Sequence, residues 1–326
     1  MSLTNSHRYL IAVIVVAELI APLRILTAQD SSTADQALTY NAPAETTWEF
    51  GLKINSTGLA QGITATVPIP MEWPEQTINS AVEIKSNNVS SLKINNPTPE
   101  SRQLVFTVNQ LAAGETAEAM IRFQITKRMI AGPTEIENLT VPTKLTSAHK
   151  AFLKPSPQIE STHKRILEIA AKLRDPSLTD WQQVEVILKW VRENIEYKFD
   201  TEIHSCLEAL DSQHGDCEEL SSLFIAICRA MKIPARAVWI PHHTYPEFFL
   251  EDQSGQGYWF PCQAAGQYEF GSMTELKPVL QKGDRFRLAG KSGYVRYLQP
   301  SLLAKDAQGE LSIEWISREV TAAPNK

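Results

Sequence analysis

The stretch from Asp216 to Met231 admits few structures. Leu220, Leu223, Phe224, Ile227 and Met231 recur at the spacing that sets side chains on one side of an α-helix, so the helix must lay that face on a core. Gly215 permits a tight turn into it. Asp216 is placed to cap it, and Glu219 completes the pattern of a capping box. Cys217 then falls in the first helical turn, where unpaired amides and the positive end of the helix dipole favour a thiolate. The stretch predicts a nucleophilic thiol at the head of a buried helix.

Two more amphipathic helices precede it. Ile166, Ile169, Ala170 and Leu173 share a face in a pattern starting near Thr162, and Trp181, Val184, Ile187, Leu188, Val191 and Ile195 share one between Asp180 and Tyr197. Strands are expected at 236–240, 247–251 and 258–262, with further β-rich sequence at 294–298 and 311–318. Helices followed by an antiparallel sheet make an α+β domain, placed at residues 161–320. The earlier half alternates differently. Residues 47–54, 62–69, 104–108 and 120–125 read as short strands with Asn, Gly and Pro between them, and Leu111–Ala117 reads as a turn. That pattern predicts an all-β immunoglobulin-like sandwich over 40–132, joined by a Pro-containing linker at 133–160. No chemical constellation lies in the sandwich, which reads as a scaffold or binding module.

A thiol nucleophile needs a base and a group to orient that base. His243 is the candidate base. Gln253-Ser254-Gly255-Gln256 reads as a hairpin turn, and folding the chain about it sets positions near 243 opposite positions near 263 to 266. Gln263 therefore falls where its side-chain oxygen can accept from His243. A neutral amide fixes the imidazole's tautomer but stabilises the imidazolium less than a carboxylate does. Glu247, Glu251 and Asp252 are nearby acids that would substitute for it. His242 is adjacent to His243, but successive strand residues point to opposite faces, so one of the two meets the thiol. His204 and His214 read as solvated loop residues, Asp216 as a cap, and Trp190 and Tyr197 as core. Trp239, Tyr245, Trp259 and Phe260 form an aromatic set expected to pack around the site. The backbone amide of Cys217 is the default oxyanion donor.

Gly-Asp-Cys opening an apolar helix, followed by Arg229-Ala230-Met231-Lys232-Ile233-Pro234-Ala235-Arg236, resembles the core of the transglutaminase-like superfamily. The resemblance covers roughly positions 180 to 265. It implies a papain-like fold, a Cys-His-Asp triad and acyl transfer from amides, either to water (amidase or peptidase action) or to an amine (cross-linking). The family's His-x-Trp-x-Glu segment corresponds to His243-Thr244-Tyr245-Pro246-Glu247, and its Trp-x-Pro-x-Asp segment to Trp259-Phe260-Pro261-Cys262-Gln263. Tyr245 replaces Trp and Gln263 replaces Asp. Carried over residue by residue, the catalytic set is Cys217, His243 and Gln263, and a protein or cell-envelope peptide is the implied substrate. The replaced Asp also leaves open a catalytically degenerate binding or structural envelope protein.

At the start of the chain, His7 and Arg8 precede the apolar run Tyr9–Ala17, which Glu18, Pro22 and Arg24 interrupt. The pattern fits a secretory signal over 1–28 cleaved after Ala28, with an uncleaved anchor as the alternative, so the protein is expected to be exported. A net charge of -6 without a basic run excludes a nucleic-acid footprint. Of the four cysteines, Cys228 reads as core, while Cys206 and Cys262 are candidates to pair in an exported protein. No CxxC pair, nucleotide loop or calcium loop is present in the sequence, so no metal or cofactor is expected.

Overall fold

The computed structural model describes residues 37–288 and 292–320. The expected leader, residues 1–28, lies outside the described residues. Six antiparallel strands come first: β1 (Thr39–Ser56), β2 (Ala60–Pro68), β3 (Gln76–Lys85), β4 (Ser91–Thr98), β5 (Ser101–Leu111) and β6 (Thr116–Ala131). The alternation that marks β2 and β5 in sequence sends Ile63, Ala65, Val67, Leu104, Phe106 and Val108 into one core. Phe50, Leu52 and Ile54 of β1 and Ile121, Phe123 and Ile125 of β6 close that core from the facing sheet. β3 and β4 escape the sequence reading because they are polar edge strands, with apolar side chains such as Val82 and Ile94 largely in solvent.

Five helices follow among the described residues: α1 (Ser147–Ala151), α2 (Lys164–Leu173), α3 (Asp180–Asn194), α4 (Cys206–Ser212) and α5 (Cys217–Ala230). Two-residue strands β7 (Glu196–Tyr197) and β8 (His214–Gly215) pair in parallel just ahead of α5. α3 begins in a capping box between Thr179 and Gln182 and buries Trp181, Val184, Ile187, Leu188 and Val191. Every residue of α5 from Glu219 to Arg229 is buried, so it is the central helix rather than an amphipathic surface one. It packs on the antiparallel strands β9 (Ala235–Ile240), β10 (His243–Glu251) and β11 (Gly257–Pro261).

The remaining strands join the two halves. β12 (Gln281–Lys282) pairs with Ser101 of β5 on one side and with Trp239 of β9 on the other. The sandwich sheet and the sheet behind α5 are thus one continuous sheet. β13 (Ser301–Leu303) and β14 (Asp306–Ala307) pair with β2, and β15 (Leu311–Glu319) pairs along β1 from Trp48 to Ser56. Residues 301–319, read from sequence as part of the second domain, therefore return to the sandwich. Their alternation identifies strands but carries no sign of which sheet edge they meet. Residues 294–298, expected as β-rich, form an isolated bridge between Val295 and Phe286 instead of a strand.

A buried charge cluster sits beside the β12 junction. Lys282 Nζ lies 2.8 Å from Glu75 Oε1 and 2.7 Å from Glu247 Oε1, while Arg236 Nη2 lies 2.7 Å from Glu247 Oε2.

Candidate active site

The turn into α5 is built as its sequence dictates. The Asp216 carboxylate accepts from the Glu218 amide at 2.6 Å, and the Asp216 amide donates to Glu219 Oε2 at 2.9 Å, closing the capping box. Glu219, almost fully buried, also accepts from the His204 amide at 2.9 Å through Oε1. A Cβ on Gly215 would come within 2.6 Å of the Glu219 Cβ, so the close approach of these residues requires glycine there. Cys217 is left half-buried as the first helical residue.

β10 runs past this helix end. The Thr244 amide lies against the Cys217 sulfur, and Ser221 Oγ, one helical turn along α5, donates to the Thr244 carbonyl at 3.4 Å. His243, the residue before Thr244, begins β10. Its Nε2 lies 3.0 Å from Gln263 Oε1. The Gln263 amide nitrogen donates to the Met273 thioether at 3.4 Å, which orients the amide oxygen toward the imidazole. Nε2 therefore carries the ring's proton, and Nδ1 keeps the basic lone pair. Gln263 is held in turn by its amide, which donates to the Glu269 carbonyl at 2.9 Å, and by Arg192 Nη1, which donates to its carbonyl at 3.0 Å.

The electrostatics overturn the expected thiolate. Burial, then the Asp216 charge, pushes the Cys217 thiol up to about 12, although the Thr244 amide pulls the other way. The dipole of α5 is outweighed first by burial and then by the acids at its start, Asp216 as the cap and Glu218 and Glu219 in the first turn. Burial and the neighbouring Glu219 raise Asp216 itself to about 7. Burial lowers His243, against the opposing hydrogen bond that its Nε2 donates to Gln263. At neutral pH both the Cys217 thiol and the His243 imidazole are neutral.

Two recesses meet at Ala265 and Gly266. One, of about 460 Å³, is lined by His243, Gln263, Glu269, Thr274 and Glu275. The other, of about 280 Å³, is lined by Arg192, Ile195, Tyr197 and Leu220. Tyr197, read from sequence as core, is 54% exposed because the short β7 carries it past the end of α3.

Other sequence candidates go elsewhere. His242 has a positive φ and turns its Nε2 to within 3.4 Å of the Ser317 carbonyl, away from the helix end. Glu247 is consumed by Arg236 and Lys282, Asp252 holds the Gly255 turn, and the Glu251 backbone pairs with Thr140. His204 and His214 border a small cavity of about 110 Å³ beside Glu219. Cys206 and Cys262 do not pair: Cys206 donates to Glu160 and Cys262 points at the Pro246 carbonyl. Of the aromatic set, Tyr245 lies near the His243 ring, Phe260 packs with Trp181 and Phe248, and Trp259 stacks under Arg236. Arg192, Thr244 and Met273 escaped the sequence reading, because each meets the site through the folded backbone or a thioether rather than through a motif. Among the described residues, no three metal-ligating side chains converge.

Residues 167–264 match the family model of the transglutaminase-like superfamily. The fold is similar to that of a candidate cysteine protease from Cytophaga hutchinsonii, with a TM-score of 0.62 and 16% identity over 88% of this chain and 94% of that one. The periplasmic domain of TgpA from Pseudomonas aeruginosa also matches, more remotely, with a TM-score of 0.31 and 12% identity over 66% of this chain and 89% of that one. No protein of curated function matches the chain.

Proposed function

Taking residues 167–264 as a transglutaminase-like domain, we propose that the protein is a thiol-dependent acyl-transfer enzyme acting on amide bonds of a protein or cell-envelope peptide. The observation that carries this reading is the His243 ring, locked through Nε2 to Gln263 at 3.0 Å with Nδ1 left basic, one residue from the amide that touches Cys217. Cys217 attacks the amide carbon as its proton passes to His243 Nδ1. The C–N bond then breaks, and His243 returns that proton to the leaving amine. A thioester on Cys217 remains. Water, giving its proton to the same Nδ1, adds to the thioester; the C–S bond breaks, His243 returns the proton to the Cys217 sulfur, and the acyl group leaves as an acid, or as a new amide where an amine takes the place of water. The Cys217 backbone amide, free at the helix start, is the oxyanion donor. Gln263 serves as the positioning residue. The basic lead-in and apolar run of residues 7–28 support export.

The raised thiol favours a second reading, a binding protein that keeps the architecture without turnover. Iodoacetamide separates the two. The enzyme reading expects Cys217 to be the cysteine alkylated in the native protein, at a rate about tenfold lower in His243→Ala, as the loss of a general base implies. Unchanged labelling in His243→Ala, or none at Cys217, sinks it.

A further inference from the structure

A fourth cavity, of about 500 Å³, reaches the residue next to Cys217. Glu218, the residue after Cys217, lines it, as does Trp239, whose β-sheet partner is the Thr244 that touches the sulfur. Tyr294, Arg296, Tyr297 and Gln103 complete the part that matters. Trp239 and Tyr297 stack at 4.7 Å, and the Arg296 guanidinium lies 5.2 Å over the Trp239 ring. That guanidinium is nearly closed off, with 4% of the Arg296 side chain exposed. One edge faces Glu218: Nη2 donates to its carbonyl at 2.8 Å, and Nη1 stands 3.6 Å from its Oε2. Among the described residues, Nε and Nη1 find no hydrogen-bond partner, and neither does Glu218 Oε2. A buried guanidinium with unused donors is costly unless something else uses them.

We propose that this cavity recognises a free carboxylate at the end of a peptide substrate, bound by Arg296 and packed against Trp239 and Tyr297. A guanidinium edge offers parallel N–H groups that match a planar carboxylate. Glu218, 3.6 Å from the same guanidinium, already balances its charge, so a carboxylate that shares its donors is tolerated far better than a phosphate dianion. The stacked rings suit the apolar side chain beside a terminal carboxylate. The proposal rests on Cys217 as the nucleophile and adds which peptides reach it: short ones, or chains cut near their C-terminus.

Binding tests it apart from turnover. In Cys217→Ala, which removes the chemistry, calorimetry would compare N-acetyl-alanyl-alanine with its C-terminal carboxamide, with acetate and inorganic phosphate as further arms. The free acid should bind at least tenfold more tightly than the amide, more tightly than acetate, and with phosphate no better than acetate. Arg296→Gln should abolish the preference and Arg296→Lys should keep part of it. Equal binding of acid and amide, binding of neither, or a preference that survives Arg296→Gln would overturn the proposal. The acid–amide comparison needs no change at Arg296, so it stands even where that substitution disturbs the fold. Alkylation of Cys217 in the unsubstituted protein reports separately on the nucleophile.

Discussion

At the scale of single residues, Asp216 is, after burial, the largest influence on how readily Cys217 gives up its proton. Its carboxyl, raised to about 7, is charged above that pH and then opposes a thiolate next to it. Asp216→Asn keeps a capping side chain but removes the charge. Alkylation of Cys217 should become several-fold faster in this variant at pH 8 to 9 and match the parent at pH 6, where the parent's Asp216 is already protonated. Equal rates at both pH values would show that burial alone sets the thiol. The same group bears on stability. Its folded pKa lies above the unfolded one, so the stability it contributes is complete below about pH 4 and is lost as pH rises through 7. Denaturant midpoints should therefore fall less between pH 4 and 8 in Asp216→Asn than in the parent. The placement of Cys217 at a helix start and of Gln263 against His243 was legible because a capping pattern and a hairpin register fix them. The charge state of the thiol was not. It depends on burial and on acids summed in space, against which the dipole inferred from one helix end is a small term.

The elements around the site owe their positions to a few buried polar side chains. Glu247 sits in the middle of β10, fully buried, and ties Arg236 of β9 to Lys282 of β12. Glu247→Gln leaves Arg236 without its counter-charge and Lys282 with Glu75 alone, and should cost about 3 to 5 kcal/mol, measured by urea unfolding. At the head of α5, Glu219→Ala strands the amides of His204 and Asp216. A loss of about 1 to 3 kcal/mol is expected, together with faster alkylation of Cys217, since a charge that raises the thiol is removed and the turn over it loosens. A Glu219→Ala protein of parental stability would show that the capping box is not what holds the nucleophile. The helices were readable because their apolar spacing is long and regular, as in Trp181 through Val191. β12 was not, since a two-residue strand such as Gln281–Lys282 has no period to read. Residues 294–298 misled for the opposite reason: Tyr294, Val295, Tyr297 and Leu298 look strand-like, yet they serve as cavity wall.

For the molecule as a whole, β12 makes the sandwich and the candidate site share one sheet. Gln281 is fully buried there, and its side chain both donates to and accepts from the Leu298 backbone at 3.1 Å. Gln281→Ala should lower the stability of both halves together, by about 1 to 3 kcal/mol. Thermal unfolding followed by circular dichroism and by the exposure of Cys228, buried within α5, should coincide in a single transition. Two separated transitions would mean that the halves fold independently. The two halves were visible in the sequence, as a change from period-two to helical spacing. Their fusion was not, because the pairs Ser101–Gln281 and Leu52–Trp315 join residues too far apart for any local pattern to connect. The pairing of β15 with β1 also sets an order of events on the ribosome. Strand β1 is made early, yet the neighbour along its outer edge is synthesised more than two hundred and fifty residues later. Until then its backbone donors and acceptors stand open to any passing strand. The outer edge of the sandwich can therefore close only after residues 311–319 have left the exit tunnel.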